Sequence, residues 1–359
     1  MTRSRTSWLA LAGLGLLVLF PFLAALVMRQ SVDQGTPKFL QGLLIQVFIL
    51  AVFAMSYDLL LGYTGILSFG HAMFYGTGAY VVGIMLKHVL ADGDSATGPT
   101  LVHLAVALVV VLVVVSGQSV LFGLLSLRVK GVYFAMVTLA FAQMFFILSE
   151  ATDFRQWTGA EDGLQGIPVP AAISPTDERL RFYYLTLIFM VLMYLFARRL
   201  TESPTGRVMI AIRENEQRAA AIGYNTVIFK LIAIVVSGLM AGLAGGLMAL
   251  WQLNASPTLL GVGTTIDALL MAIIGGIGTL IGPVLGAGVL ELLGFYLNRT
   301  FGPSWTLILG LVFVLLVMFL PYGIVGTWRL RKVSLGRGWE VLGRRLGLVA
   351  PEAELRAER

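Results

Sequence analysis

The chain has 359 residues, 58% of them hydrophobic and only 12% charged, with a mean hydropathy of +0.88. Apolar runs of about 20 residues recur along it, which excludes a soluble domain with its own core and defines an all-α, polytopic membrane protein. The absence of cysteine excludes a disulfide framework, cysteine redox chemistry and a Cys-ligated metal site, and the net charge of +6 lies on loops where topology accounts for it without nucleic acid.

Ten transmembrane spans are predicted, at roughly 8–27, 39–61, 66–86, 101–122, 131–149, 181–198, 231–252, 259–276, 279–297 and 304–320. The first follows Arg3 and Arg5, and no clear small-residue cleavage site precedes Met28 and Arg29. It is therefore expected to remain as an uncleaved span.

After the second span comes GYTGILSFGHAMFYGTGAY, residues 62–80, which mixes glycine with Thr64, Ser68, His71, Tyr75 and Tyr80. Small and polar residues together predict an interrupted helix lining a path. His71 has two readings, backbone-satisfied packing or path lining. The three histidines, at 71, 88 and 103, are too scattered for a metal site. Asp58, His71, Asp267 and Glu291 are the ionisable groups at membrane depth, and each is expected to face the protein interior. Asp58 lies near a span end and either snorkels or caps. For Asp267 and Glu291, interhelical hydrogen bonding and substrate contact both stay open.

Between the fifth and sixth spans, Ala151–Leu180 carries Asp153, Glu161, Asp162, Asp177 and Glu178. It reads as a docking surface for a soluble partner or as a solvated acidic loop. The polar stretch 201–230, TESPTGRVMIAIRENEQRAAAIGYNTVIFK, is more telling. Ser203, Pro204 and Thr205 signal a helix start and Gly223 a stop. Between them Val208, Met209, Ile212, Ala219 and Ile222 share one side, while Glu214 and Arg218 form an i,i+4 pair. The result is a short amphipathic helix, suited to docking a partner or to lying on lipid headgroups.

Glycine recurs every fourth residue at Gly238, Gly242 and Gly246, and again at Gly278, Gly282 and Gly286. Both series predict close helix packing. GGIGT, 275–279, is expected to turn between two short spans; one broken helix over 259–297 would instead move the last loop to the other side. The domain reading is a transmembrane domain over 1–326 and a basic amphipathic tail over 327–359, resting on anionic lipid. With the N-terminus inside, inner segments hold 18 of the 25 lysines and arginines: Arg3 and Arg5, Arg128 and Lys130, six from Arg198 to Lys230, and eight after Pro321. The positive-inside rule then makes both termini and the 201–230 loop cytoplasmic.

No nucleophile elbow, no H-E-x-x-H and no Gly-Lys dipeptide occurs, so no catalytic residues are assigned and the chain lacks a Walker A of its own. In order along the chain stand YDLLLGYTGILSFGHAMFYGTGAY (57–80), VKGVYFAMVTLAFAQ (129–143), TGAEDGLQGIP (158–168), SPTGRVMIAIRENEQRAAAIGYN (203–225), GGIGTLIGPVLGAG (275–288) and PYGIVG (321–326). Over nearly its whole length the chain thereby resembles the LivM-type permease subunit of bacterial ABC importers for branched-chain amino acids.

The resemblance implies a multi-pass inner-membrane transport subunit that is not itself an enzyme and needs no cofactor. It makes the 203–225 loop a diverged EAA loop docking the ATPase, with Arg207, Arg213, Glu214, Glu216 and Gly223 carried over. The implied partners are two ABC ATPase subunits, a second (LivH-type) permease and a periplasmic or lipid-anchored binding protein. Thr64, Ser68, His71 and Asp267 are the candidate liners of a path for an aliphatic amino acid. A urea or short-amide ABC permease shares this architecture. A proton-coupled secondary transporter, titrating Asp58, Asp267 or Glu291, is the reading from another class.

Overall fold

The computed structural model describes residues 2–90, 99–319 and 322–327. The predicted amphipathic tail, apart from Thr327, and Pro321 of the PYGIVG segment lie outside them. The chain is mostly helical: α1 (Thr2–Met28), α2 (Gly35–Asp58), α3 (Ala72–Ile84), α4 (Leu101–Ser126), α5 (Val132–Glu150), the single turn α6 (Arg155–Thr158), α7 (Arg179–Glu202), α8 (Pro204–Glu214), α9 (Glu216–Ala221), α10 (Thr226–Gln252), α11 (Val262–Gly275), α12 (Ile281–Phe301) and α13 (Trp305–Phe319). Each predicted span has a helix. Six of these are long and apolar enough to cross a membrane, namely Gly35–Tyr63, Leu101–Ser126, Val132–Glu150, Arg179–Glu202, Thr226–Gln252 and Ile281–Phe301. Ala12–Met28, Val262–Gly275 and Trp305–Leu316 are shorter apolar helices.

The helices sort by how much protein surrounds them. The apolar stretch of α2 is 78% buried against 28% for α5 and for α12, so α2 is the central post and α5 faces outward. Small residues set the contacts. A Cβ on Gly78 of α3 would overlap Gly242 O of α10, and one on Gly245 would overlap Tyr75 O, so these two helices touch backbone to backbone. A Cβ on Gly286 of α12 would likewise overlap Met271 O of α11, and one on Gly275 would overlap Gly282 O. These pairings make α11 and α12 an antiparallel hairpin around residues 276–280, which are not helical. The GGIGT segment therefore turns between two separate helices.

The third predicted span begins later than expected. A π-helical turn, Leu59–Tyr63, ends the α2 rod, residues 65–70 are non-helical, and α3 starts at Ala72. Backbone at this depth needs internal partners. Side-chain hydroxyls supply them: Thr138 Oγ1 accepts from Phe69 N (3.2 Å), Ser68 Oγ from Gly70 N (3.3 Å) and Thr265 Oγ1 from Ala72 N (3.0 Å).

Loops collect at two ends. One end gathers the π-turn, the α4–α5 link, α8–α9, the α11–α12 turn and residues 322–326. The other holds the loop between α5 and α7, whose strand β1 (Leu164–Gln165) pairs antiparallel with β2 (Asn254–Ala255) after α10. There Lys38 Nζ donates to Thr176 O at 2.8 Å and Arg179 Nη1 to Lys38 O at 3.2 Å, joining the starts of α2 and α7.

Candidate functional site

The polar loop folds as its caps dictate, with one difference. Ser203 Oγ accepts from Gly206 N at 3.3 Å and Pro204 fills the first turn of α8. A single helix to Gly223 was expected, but Asn215 breaks it. Its backbone is extended (φ −160°), and its Oδ1 caps α9 by accepting from Arg218 N at 2.9 Å. An Asn side chain competes well for backbone groups, and here it restarts the helix. The break separates Glu214 from Arg218 and resets the apolar face. Val208, Met209, Ile212 and Ala219 are buried, whereas Ile222 is 68% exposed. Gly223 stops the segment at φ +96°.

The five carried-over positions divide. Arg207 and Glu214 are exposed. Arg213 is exposed as well, but its Nη1 reaches back to the bundle and donates to Gly62 O. Glu216 accepts from Lys230 Nζ at 2.6 Å and from Thr226 Oγ1 at 3.2 Å. Burial pushes the Glu216 carboxyl up, but the Lys230 ammonium and the Thr226 hydroxyl outweigh it and hold the group below the usual carboxylate range. A cavity of about 550 Å³ opens beside them, lined by Thr64, Lys130, Arg213, Glu214, Glu216 and Lys230 among others.

Asp58 proves to be a cap. It is fully buried, and its Oδ1 accepts from Gly278 N at 2.6 Å and its Oδ2 from Leu280 N at 3.4 Å, pinning the α11–α12 turn to the end of α2. Gly278 belongs to that turn, at φ +76°, so the second glycine series lies only partly on a helix.

Of the predicted path residues, Ser68 and His71 sit together inside the bundle around Tyr57, while Thr64, also buried, lines the loop-end cavity. His71 is fully buried with its ring against Phe53, Tyr57 and Phe74, and its Nε2 is 2.8 Å from Ser56 Oγ. Ser68 O accepts from Tyr57 OH at 3.1 Å, and the Thr64 hydroxyl donates to Leu60 O. Ser56, Thr138 and Thr265 complete this polar cluster. Their signal in the sequence is a lone hydroxyl in an apolar run, which names no partner. Asp267 stands apart, exposed on the flank of α11, with the half-buried Glu291 on α12 within electrostatic reach.

In the loop at the far end, Asp162 pairs with Arg155 (3.4 Å) and Glu178 with Arg181 (3.3 Å), and Asp177 accepts from Ser174 Oγ (2.9 Å). Asp153 and Glu161 are exposed.

Apolar helices around a glycine-tightened core, a hydroxyl-supported break in one helix and a capped amphipathic loop define a multi-pass membrane protein of the permease class. The profile of the branched-chain amino acid transport system / permease component family matches residues 39–320, and the chain belongs to that family. It is 27% identical to the high-affinity branched-chain amino acid transport system permease protein LivM of Salmonella typhimurium, over 87% of this chain and 73% of that protein. The LivM of Escherichia coli K12 is also 27% identical, over 88% and 73%. The probable branched-chain amino acid transport permease protein LivM of Methanocaldococcus jannaschii is 26% identical, over 76% of this chain and 89% of that protein. No solved structure matches.

Proposed function

We propose that the chain is the permease subunit of an ATP-driven ABC importer that moves leucine, isoleucine and valine across the inner membrane. Two ATPase subunits dock on α8–α9, a second, LivH-type permease completes the pathway, and a periplasmic or lipid-anchored binding protein delivers the substrate. The docking end is cytoplasmic, together with both termini, and the ten helices α1–α5, α7 and α10–α13 are the spans of a permease domain over 1–326.

One observation carries this reading. α8 seats Met209 in the bundle core and packs Val208 and Ile212 against Ala219 of α9 and Phe229 of α10, and it presents Arg207 and Glu214 outward. A helix that is already seated on its apolar side offers a charged ridge to a partner. Asp267 supports the second permease, because a carboxylate exposed on the flank of a membrane helix is costly in lipid and is accommodated at a protein seam lining the path. Thr64, Ser68 and His71 support the same path from within, and the outer loop is the surface for the binding protein.

The test is affinity purification from the native membrane, with co-purifying subunits identified by mass spectrometry. ATPase subunits and a second permease are expected with the wild-type chain, the ATPase being lost when Arg207 and Glu214 are both changed to Ala. Recovery of this chain alone would move the assignment to a secondary transporter.

A further inference from the structure

Among the described residues, α8 meets the bundle through apolar contacts and one side-chain hydrogen bond, while α9 is tied to α10 through Glu216. Arg213 lies in the last turn of α8, and its stem crosses Gly65, where a Cβ would stand 3.1 Å from Arg213 Cγ. Its Nη1 donates to the Gly62 carbonyl and would lie 3.0 Å from a Cβ built on Gly278. Asp58 approaches the same point from the bundle side, holding Gly278 N and Leu280 N, with Arg213 as the cation in its field. Three segments remote in sequence thus converge: the end of α2, the α11–α12 turn and the docking helix. The turn has little slack. Gly276, Gly278 and Leu280 all have positive φ (+118°, +76° and +47°), and Gly276 backs onto Gly323.

We propose that Arg213 is a positioning residue for transport, carrying displacement of α8 to the end of α2 and to the α11–α12 hairpin, and that it is not a contact for the docked partner. The inference rests on α8–α9 being the docking element. Val208, Met209 and Ile212 pack without direction and can slide over their neighbours. A guanidinium bound to a carbonyl is directional, and it moves its acceptor with it. The hairpin it reaches bears Asp267 on its flank, so a push at the loop arrives at the proposed path.

The test uses the complete co-purified complex in liposomes. With Arg213→Ala, recovery of ATPase subunits and nucleotide hydrolysis should stay within twofold of wild type, while maximal uptake falls at least tenfold at unchanged KM. Arg213→Lys, which keeps the charge and loses the fork, should recover part of that loss. Because the chain has no cysteine, Leu285→Cys on the exposed side of α12 gives it a single thiol, whose labelled band is resolved from its partners on a gel. Its labelling rate should differ at least twofold between nucleotide-free and vanadate-trapped complexes. With Arg213→Ala that difference should vanish, leaving the nucleotide-free rate unchanged.

Loss of the ATPase from Arg213→Ala would make Arg213 a docking contact and overturn the proposal. Uptake within twofold of wild type, a surviving nucleotide response, an altered nucleotide-free rate or no response in the Leu285→Cys chain that keeps Arg213 would overturn it too. Absence of ATPase subunits from the wild-type preparation would instead sink the docking reading beneath it.

Discussion

Gly238, Gly242 and Gly246 share a spacing with Gly278, Gly282 and Gly286, yet the two series meet different things. On α10 the added Cβ atoms would press on side chains: Phe74 and Ser119 at Gly238, Val115 at Gly242 (2.8 Å) and Val82 at Gly246 (2.8 Å). In the hairpin they would press on backbone. A Cβ on Gly286 would overlap Met271 O, one on Gly282 would meet Gly276 O at 2.7 Å besides the Thr279 hydroxyl, and Gly278 occupies the turn itself, with Gly62 O 3.1 Å and Arg213 Nη1 3.0 Å from an added Cβ. A four-residue repeat reports that something comes close; whether that neighbour can give way is decided by the tertiary fold. A rotamer adjusts, whereas a carbonyl in a helix ladder is held by its own hydrogen bond.

The largest effect is therefore expected where backbone meets backbone. Gly286→Leu, and Gly245→Leu between the two helices of the core, should cost about 3 kcal/mol or more and leave little monodisperse protein on size-exclusion chromatography. Gly242→Leu should impair assembly less severely, at about 1–3 kcal/mol, because Val115 can move; a loss equal to that of Gly286→Leu would abolish the distinction. Gly278→Ala tests the turn position. Positive φ costs a residue with a Cβ about 1 kcal/mol, so its thermal midpoint in detergent should fall by only a few degrees. Normal stability would mean that the turn relaxes and that the hairpin is less constrained than its dihedrals imply.

The smallest effect belongs to a contact outside both series. The Glu216 carboxyl titrates below its unfolded value, so the stability it adds is present above the ordinary carboxylate range and is lost as pH falls through its lowered folded pKa. Glu216→Gln should lower the midpoint at pH 7 by about 2 °C or less and make no difference well below the carboxylate range, as measured by melting curves across pH. A larger shift would give this partly buried pair more weight than a single ion pair within reach of solvent carries.

The helices were legible because apolar length is a strong signal, and Ser203, Pro204 and Gly223 marked the ends of the docking segment. Asn215 was not read as a break, since an Asn inside an amphipathic pattern looks like any polar residue until its side chain is seen capping the next turn. The interrupted helix after residue 62 was foreseen from its mixture of glycine and hydroxyls. Its supports, Thr138 and Thr265, lie 69 residues beyond Phe69 and 193 beyond Ala72, and no local pattern connects them. Asp58 was left between snorkelling and capping for the same reason: its partners are 220 and 222 residues away. Arg213 and Glu216 were taken together from one motif, although the fold gives both partners inside the chain.

The π-helical turn Leu59–Tyr63 constrains the chain by arithmetic as well as by chemistry. Its wider ring holds one more residue than an α turn would, and in this last turn of the rod the Gly62 carbonyl is free of the helical ladder and accepts from Arg213. Removing a single residue between Leu59 and Tyr63 would let the last turn of the rod close into a regular one and rotate the groups that end it by about 100° about its axis. In this stretch the number of residues is therefore as restricted as their identity.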